Sequence, residues 1–224
     1  VTVTVDRPNS PPVADAGPDQ TVDCGTDVEL DGSGSTDDDS TDGTNDDIVS
    51  FVWTEGMEVL GEGEMLTIPS ADLGAGMHTI TLTVTDSEGE TDSDDTVVTV
   101  VDDTPPELML SLDPAMIWPP NHKWVEVHAT LTTMDACTSL EDLTVVLLSV
   151  ESNEPANANG DGNTEPDIMG AEIGTADYDF SVRAERAGPG MGRVYTATYM
   201  VTDTEGNSTT ESAEARVPHD RGGN

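Results

Sequence analysis

Val97-Val98-Thr99-Val100-Val101-Asp102-Asp103-Thr104-Pro105-Pro106 is the stretch from which the fold is read. Five β-branched residues in a row suit a pleated surface, with Val97, Thr99 and Val101 alternating against Val98 and Val100. Asp102 and Asp103 then supply carboxylate oxygens, and Pro105-Pro106 stiffen the exit and bar further ladder pairing. Residues 1–12 (VTVTVDRPNSPP) repeat the layout of strand, acid, short polar link and Pro-Pro. The chain therefore opens where a domain would normally end, and two modules follow, each approached through such a link. A length of 224 residues fits two domains of about 100 residues each. The expected division is residues 1–8 as a free or donated N-terminal strand and link, 9–102 and 103–219 as two sandwiches, and 220–224 as a tail.

Charge narrows the function. There are 46 Asp and Glu against 7 Lys and Arg, and between residues 6 and 101 the only Lys or Arg is Arg7. So negative a chain repels nucleic acid and anionic membranes, which argues against both as partners. Left unneutralised, the charge works against the compact state, and bound cations or very high salt are the natural remedies. No apolar run approaches the ~20 residues that span a bilayer. No signal peptide is visible, and Val1 reads as a processed or excised start. Scarce Lys with abundant Thr, Asp, Gly and Val suggests a secreted all-β protein. Disorder is the competing reading of such composition, and the strand patterns argue against it for most of the length.

In the first module, residues 20–24 and 27–31 are short strand candidates, and residues 48–54 alternate less cleanly. Residues 77–85 alternate well: His78, Ile80, Leu82 and Val84 share one face with threonines on the other. Short strands at this spacing, separated by Gly, Asp and Ser turns, point to a β-sandwich. At this level the stretch resembles the polycystic-kidney-disease (PKD) repeat. The resemblance rests on Asn9, Pro11-Pro12-Val13-Ala14-Asp15-Ala16-Gly17, Leu30-Asp31-Gly32-Ser33-Gly34-Ser35-Thr36-Asp37, Trp53, Gly76, His78 and Leu82-Thr83-Val84-Thr85-Asp86, and covers nearly all of residues 9–101. The family's usual Trp-Asp-Phe-Gly-Asp-Gly is replaced by Trp53-Thr54-Glu55-Gly56. The resemblance implies an immunoglobulin-like sandwich, as found in cell-surface proteins and as spacers in secreted hydrolases.

The second module has the same rhythm. Val125, Val127, Ala129 and Leu131 alternate with Trp124, Glu126, His128 and Thr130; residues 143–150 form another strand, and residues 193–202 alternate Tyr195, Ala197, Tyr199 and Val201. Val201-Thr202-Asp203-Thr204-Glu205-Gly206 echoes Val84-Thr85-Asp86-Ser87-Glu88-Gly89, which suggests a shared plan. This module resembles the bacterial immunoglobulin-like or cadherin-like extracellular repeats that follow PKD or hyalin-type modules, through Asp103-Thr104-Pro105-Pro106, Trp118-Pro119-Pro120-Asn121-His122-Lys123, Asp135-Ala136-Cys137 and Arg183-Ala184-Glu185-Arg186. The fold expected is thus all-β: two tandem immunoglobulin-like sandwiches joined by a short acidic linker, with an extra N-terminal strand.

On that plan the leading link, the B–C loop and the F–G loop gather at one end of each sandwich. They hold Asn9, Asp37, Asp38, Asp39 and Asp86 in the first module, and Asp102, Asp103, Asp135 and Asp203 in the second. Converging carboxylates repel unless a cation sits between them, and calcium accepts about six to eight hard oxygens in irregular loops. Several calcium ions are therefore expected, at the mouth of each sandwich, as the resemblance to PKD and cadherin-like repeats also implies. Taken singly, most of these aspartates read as solvated loops. Asn157 to Asp167 adds a partial calcium loop with ligand candidates Asn159, Asp161, Asn163 and Asp167, although Ile168 stands where a closing Glu belongs; a surface loop is the equal alternative. The insert Ser40–Asp47 either adds ligands or stays mobile.

Cys24 falls at the A–B turn of the first sandwich and Cys137 in the B–C loop of the second. A disulfide between them, clamping the junction in a secreted protein, is weighed against two buried thiols. No nucleophile–base set emerges, so the chain reads as no enzyme. His78 reads as structural, and Trp118 and Trp124 as either a sugar-binding face or packing. Val1–Val5 is either the last strand of a preceding module or a strand donated to the next subunit, which would give head-to-tail filaments. The function expected is an extracellular calcium-binding filament subunit or stalk, self-associating, with a cell-surface or matrix polymer as a further candidate partner. The rivals are a spacer or carbohydrate-binding accessory module of a secreted hydrolase or adhesin, and salt adaptation without specific calcium.

Overall fold

The computed structural model describes residues 8–40, 44–188 and 191–220. The strand expected at Val1–Val5 lies outside them, as does part of the insert after Ser40. The chain divides into two compact units, Val1–Asp103 and Thr104–Asn224.

The first unit holds β1 (Gln20–Asp23), β2 (Asp27–Asp31), β3 (Ile48–Glu55), β4 (Glu58–Glu62), β5 (Met65–Pro69), a single helical turn α1 (Ser70–Leu73), β6 (Gly76–Asp86) and β7 (Thr91–Val101). Its five-stranded sheet runs β1-β7-β6-β3-β4, and β2 pairs with β5 in a second sheet. Ile80, Leu82 and Val84 of β6 are buried, and His78 is half-buried on the same face, as the alternation dictates. Val28 and Leu30 of β2, Trp53 of β3 and Val98 and Val100 of β7 complete the core. The fully buried Trp53 donates its indole N–H to Gly63 O at 2.9 Å, and His78 bridges Glu55 Oε1 (2.9 Å) and Gly74 O (3.1 Å).

β7 begins well before the valine run, at Thr91, and its leading half is acidic for a structural reason. Asp92 Oδ2 accepts the Ala14 N–H and Asp94 Oδ2 that of Ala16, each at 2.9 Å, while Asp19 Oδ1 accepts the Val97 N–H at 2.9 Å. Side chains thus supply the hydrogen bonds that a ladder would, until the chain joins β7 as the parallel strand β1, with Gln20 opposite Val98.

The second unit holds β8 (Glu107–Asp113), β9 (Trp124–Met134), β10 (Thr144–Ser152), β11 (Ile168–Met169), β12 (Asp179–Arg183), β13 (Gly192–Thr202) and β14 (Ser208–Pro218). A four-stranded sheet β11-β12-β9-β8 and a three-stranded sheet β10-β13-β14 share one core. Val127 and Ala129 of β9, Phe180 and Val182 of β12, and Tyr195, Ala197, Tyr199 and Val201 of β13 fill it. Residues 102–106 between the units belong to no strand. Both units are immunoglobulin-like β-sandwiches, and the all-β expectation holds.

Candidate metal centre

The echo between Val84–Gly89 and Val201–Gly206 is a shared turn. Asp86 Oδ1 accepts the N–H groups of Glu88 (3.0 Å) and Glu90 (2.8 Å), and Asp203 Oδ1 those of Gly206 (2.6 Å) and Asn207 (2.7 Å). Each aspartate closes its hairpin by capping backbone donors that the tight turn leaves without carbonyls. The second oxygens are taken by amides: Asp86 Oδ2 by Asn9 Nδ2 and Asp203 Oδ2 by Asn207 Nδ2, both at 2.9 Å. Burial would raise the Asp86 carboxyl, but the Asn9 amide and the backbone donors hold it below its ordinary value.

Asp37 and Asp39 differ. They lie in the β2–β3 loop, and with Asp47 each offers an oxygen such that all three lie within 4.8 Å of one another. Asp39 Oδ2 accepts the Ser10 N–H (3.1 Å) and Asp37 Oδ1 the Asp39 N–H (3.3 Å). Asp37 Oδ2 and Asp39 Oδ1, however, are buried with no donor, and Asp37 as a whole is only 7% exposed. Burial, then the Asp39 carboxylate, pushes Asp37 up to about 6. The neighbouring Asp37 carboxyl in turn holds Asp39 low. Two buried acceptors facing each other with no donor form a site short of one cation, and hard carboxylate oxygens are what calcium takes. The cluster so brought together is Asn9, Asp37, Asp39 and Asp86, with Asp47 added. Asp47 is ten residues from Asp37 in sequence and reaches it because Ser40 Oγ holds its N–H at 3.2 Å. Asp38 is exposed.

The other acidic candidates are placed differently. Asp135 Oδ1 accepts the N–H groups of Cys137 (2.9 Å) and Thr138 (2.8 Å), closing a local turn. Asp102 is buried and Asp103 exposed. Asn159 and Asn163 are exposed. Asp161 and Asp167 turn inward onto a cation the chain itself provides, Arg193. That guanidinium is fully buried, contacting Asp161 Oδ2 (3.3 Å), Asp167 Oδ2, Glu154 Oε2 (3.3 Å) and Glu185 Oε1 (3.5 Å), and donating to Pro155 O (3.1 Å). Burial, then Glu185, pushes Asp167 up to about 6, with Arg193 pulling the other way. Arg193 precedes Tyr195 by two residues on β13, so strand periodicity alone puts it on the inward face. Neither cysteine is free.

Residues 16–100 match the family described as "K319L-like, PKD domain", so the first module is a PKD-type domain. No curated protein matches the chain. Similar solved structures include the fibronectin(III)-like modules of Clostridium thermocellum CbhA (15% identity, covering 92% of this chain and 94% of that one, TM-score 0.31). Others are the PKD domain of the KIAA 1837 protein (26%, 46% and 98%, 0.33) and the human Desmocollin-1 ectodomain (12%, 97% and 38%, 0.31). PKD and immunoglobulin-like domains are typically extracellular, non-catalytic modules, and among the described residues no helix is long and apolar enough to cross a membrane.

Proposed function

We propose that the chain is a secreted, non-enzymatic structural module, a stalk or filament subunit, whose first sandwich is stiffened by calcium held by Asp37, Asp39 and Asp47. Asn9 and Asp86 position the leading segment against that site. The observation that carries the reading is the pair of buried, donorless oxygens on Asp37 and Asp39. Calcium there would offset the repulsion between the two carboxylates and tie the β2–β3 loop to residues 9–10. A Cys24–Cys137 bridge belongs to the same reading, supported by the lack of a free thiol. So does head-to-tail assembly through Val1–Val5, supported by its alternating β-branched sequence and by outer strands such as β10 that could accept it.

Calorimetry in calcium and in EGTA tests the metal. Calcium at a hundred times its Kd stabilises by about 2.7 kcal/mol, which raises the first-module transition by roughly 10–20 °C. Asp37→Asn combined with Asp39→Asn should abolish the difference. Coincident melts in calcium and EGTA, with bulk KCl moving both, would refute the site and favour salt adaptation.

A further inference from the structure

The segment Trp118 to Trp124, which leads into β9, builds one wall of an open pocket of roughly 320 Å³ in the second sandwich. Met116, Trp118, Pro119, Asn121, Lys123 and Trp124 line it, with Ala184 behind. That is the small end of the range for ligand pockets.

Three features set the pocket apart. First, it gathers two of the chain's three tryptophans. Trp118 is 39% exposed, whereas Trp53 is fully buried. Second, Trp124 is pinned. The Arg183 guanidinium lies 4.2 Å from its ring centre and is itself held by Pro166 O (2.8 Å) and His122 O (3.2 Å). The loop is fixed as well, because the N–H groups of Asn121 and His122 both reach Ala184 O, at 2.8 and 3.0 Å. Third, the donors are uncommitted. Asn121 Oδ1 accepts the Lys123 N–H at 3.1 Å, which leaves the Asn121 amide N–H₂ available to the pocket. Lys123 is the only lysine in a chain of 46 acids, yet among the described residues its ammonium pairs with no carboxylate.

A partly exposed indole, Trp118, beside the pinned Trp124 selects a flat, partly apolar ring, and donors without acceptors beside it select a ligand rich in oxygen. A pyranose has both, its C–H face for the indole and its hydroxyls for Lys123 and Asn121. Charge decides between neutral and acidic sugars. A net charge of −39 repels a polyanion over the whole approach, and one lysine does not reverse that field. We propose that this pocket binds a pyranose unit of a neutral glycan, with Trp118 as the stacking platform and Lys123 and Asn121 as hydroxyl donors.

Tryptophan fluorescence and calorimetric titration of the intact chain with cellohexaose, xylohexaose, mannohexaose and chitohexaose test it. Raising each to about 10 mM detects Kd values down to the weak millimolar range. At least one should bind. Trp118→Ala should raise its Kd at least about tenfold, and Lys123→Ala and Asn121→Ala severalfold. The last two side chains are solvent-facing, so they test the site even where the tryptophan variant fails to fold. Failure of all four sugars, binding indifferent to all three variants, or binding of polygalacturonate alone would each overturn the proposal.

Discussion

Replacing Arg193 with Met should cost the second sandwich more than any surface change. The guanidinium is wholly buried, and four carboxylates lie within 3.5 Å of it. Two of them, Asp161 and Glu185, are themselves 0% exposed. Removing one partner of a buried ion pair costs about 3–5 kcal/mol, because the other charge is left without compensation. Several charges are orphaned here, which favours the upper end. Asp167 tempers the cost, since with a carboxyl already raised to about 6 it takes up a proton readily. For a domain of this size the loss should lower the second-module transition by roughly 10–25 °C and leave the first unmoved.

Differential scanning calorimetry at neutral pH would show it. The companion variant is Arg193→Met with Asp167→Asn and Glu185→Gln. Neutralising two of the four carboxylates along with it should recover part of the loss, because fewer buried charges are then left without compensation. The reasoning fails if Arg193→Met stays within about 1 kcal/mol of the parent, or if the triple variant is no more stable than the single one.

Three further outcomes are expected. Asp167 has a folded pKa raised to about 6 against an ordinary 3.8; its contribution to second-module stability is therefore full below about 3.8 and lost as pH rises through about 6. Asp167→Asn should flatten that slope in a pH series of urea melts. Asp86→Ala removes the acceptor for Glu88, Glu90 and Asn9 and should cost the first module about 1–3 kcal/mol, while Asp86→Asn, which keeps Oδ1, should cost less in the same denaturation assay. Gly192→Ala meets a φ of +107° and a Cβ position 2.5 Å from Val217 O. It should destabilise the second module by about 1–3 kcal/mol, read by its melt.

Strand faces were legible because they depend on period two alone. Ile80, Leu82 and Val84, and likewise Tyr195 to Val201, are buried where alternation puts them. What each acid does was not legible, because a carboxylate's role is fixed by which donors the fold brings to it. Asp92 and Asp94 latch residues 14 and 16, about 78 positions away in sequence. Asp86 and Asp203 cap turns although their motif also suits a ligand. Asp47 joins Asp37 across an insert that has no periodicity to follow. Arg193 is the instructive miss: the alternation that ran from Val201 back to Tyr195 needed only one more step to flag a charged residue facing the core.

The two sandwiches meet one difficulty by different means. Each brings carboxylates together in a buried loop region. The second has Arg193, Arg183 and Arg186 in its sequence and sets one of them among its acids. The first has no Lys or Arg between residues 8 and 101, and among the described residues no cationic side chain pairs with Asp37 or Asp39. If a divalent ion fills that role, chelator sensitivity should be confined to the first module's transition, and the Arg193 variant should shift only the second. The measurement is a pair of calorimetric scans on the parent and on Arg193→Met, each with calcium and with EGTA. Chelation that lowers the second transition as much as the first would mean that the internal arginine does not substitute for a metal, and the division of labour inferred from the charge distribution would be wrong.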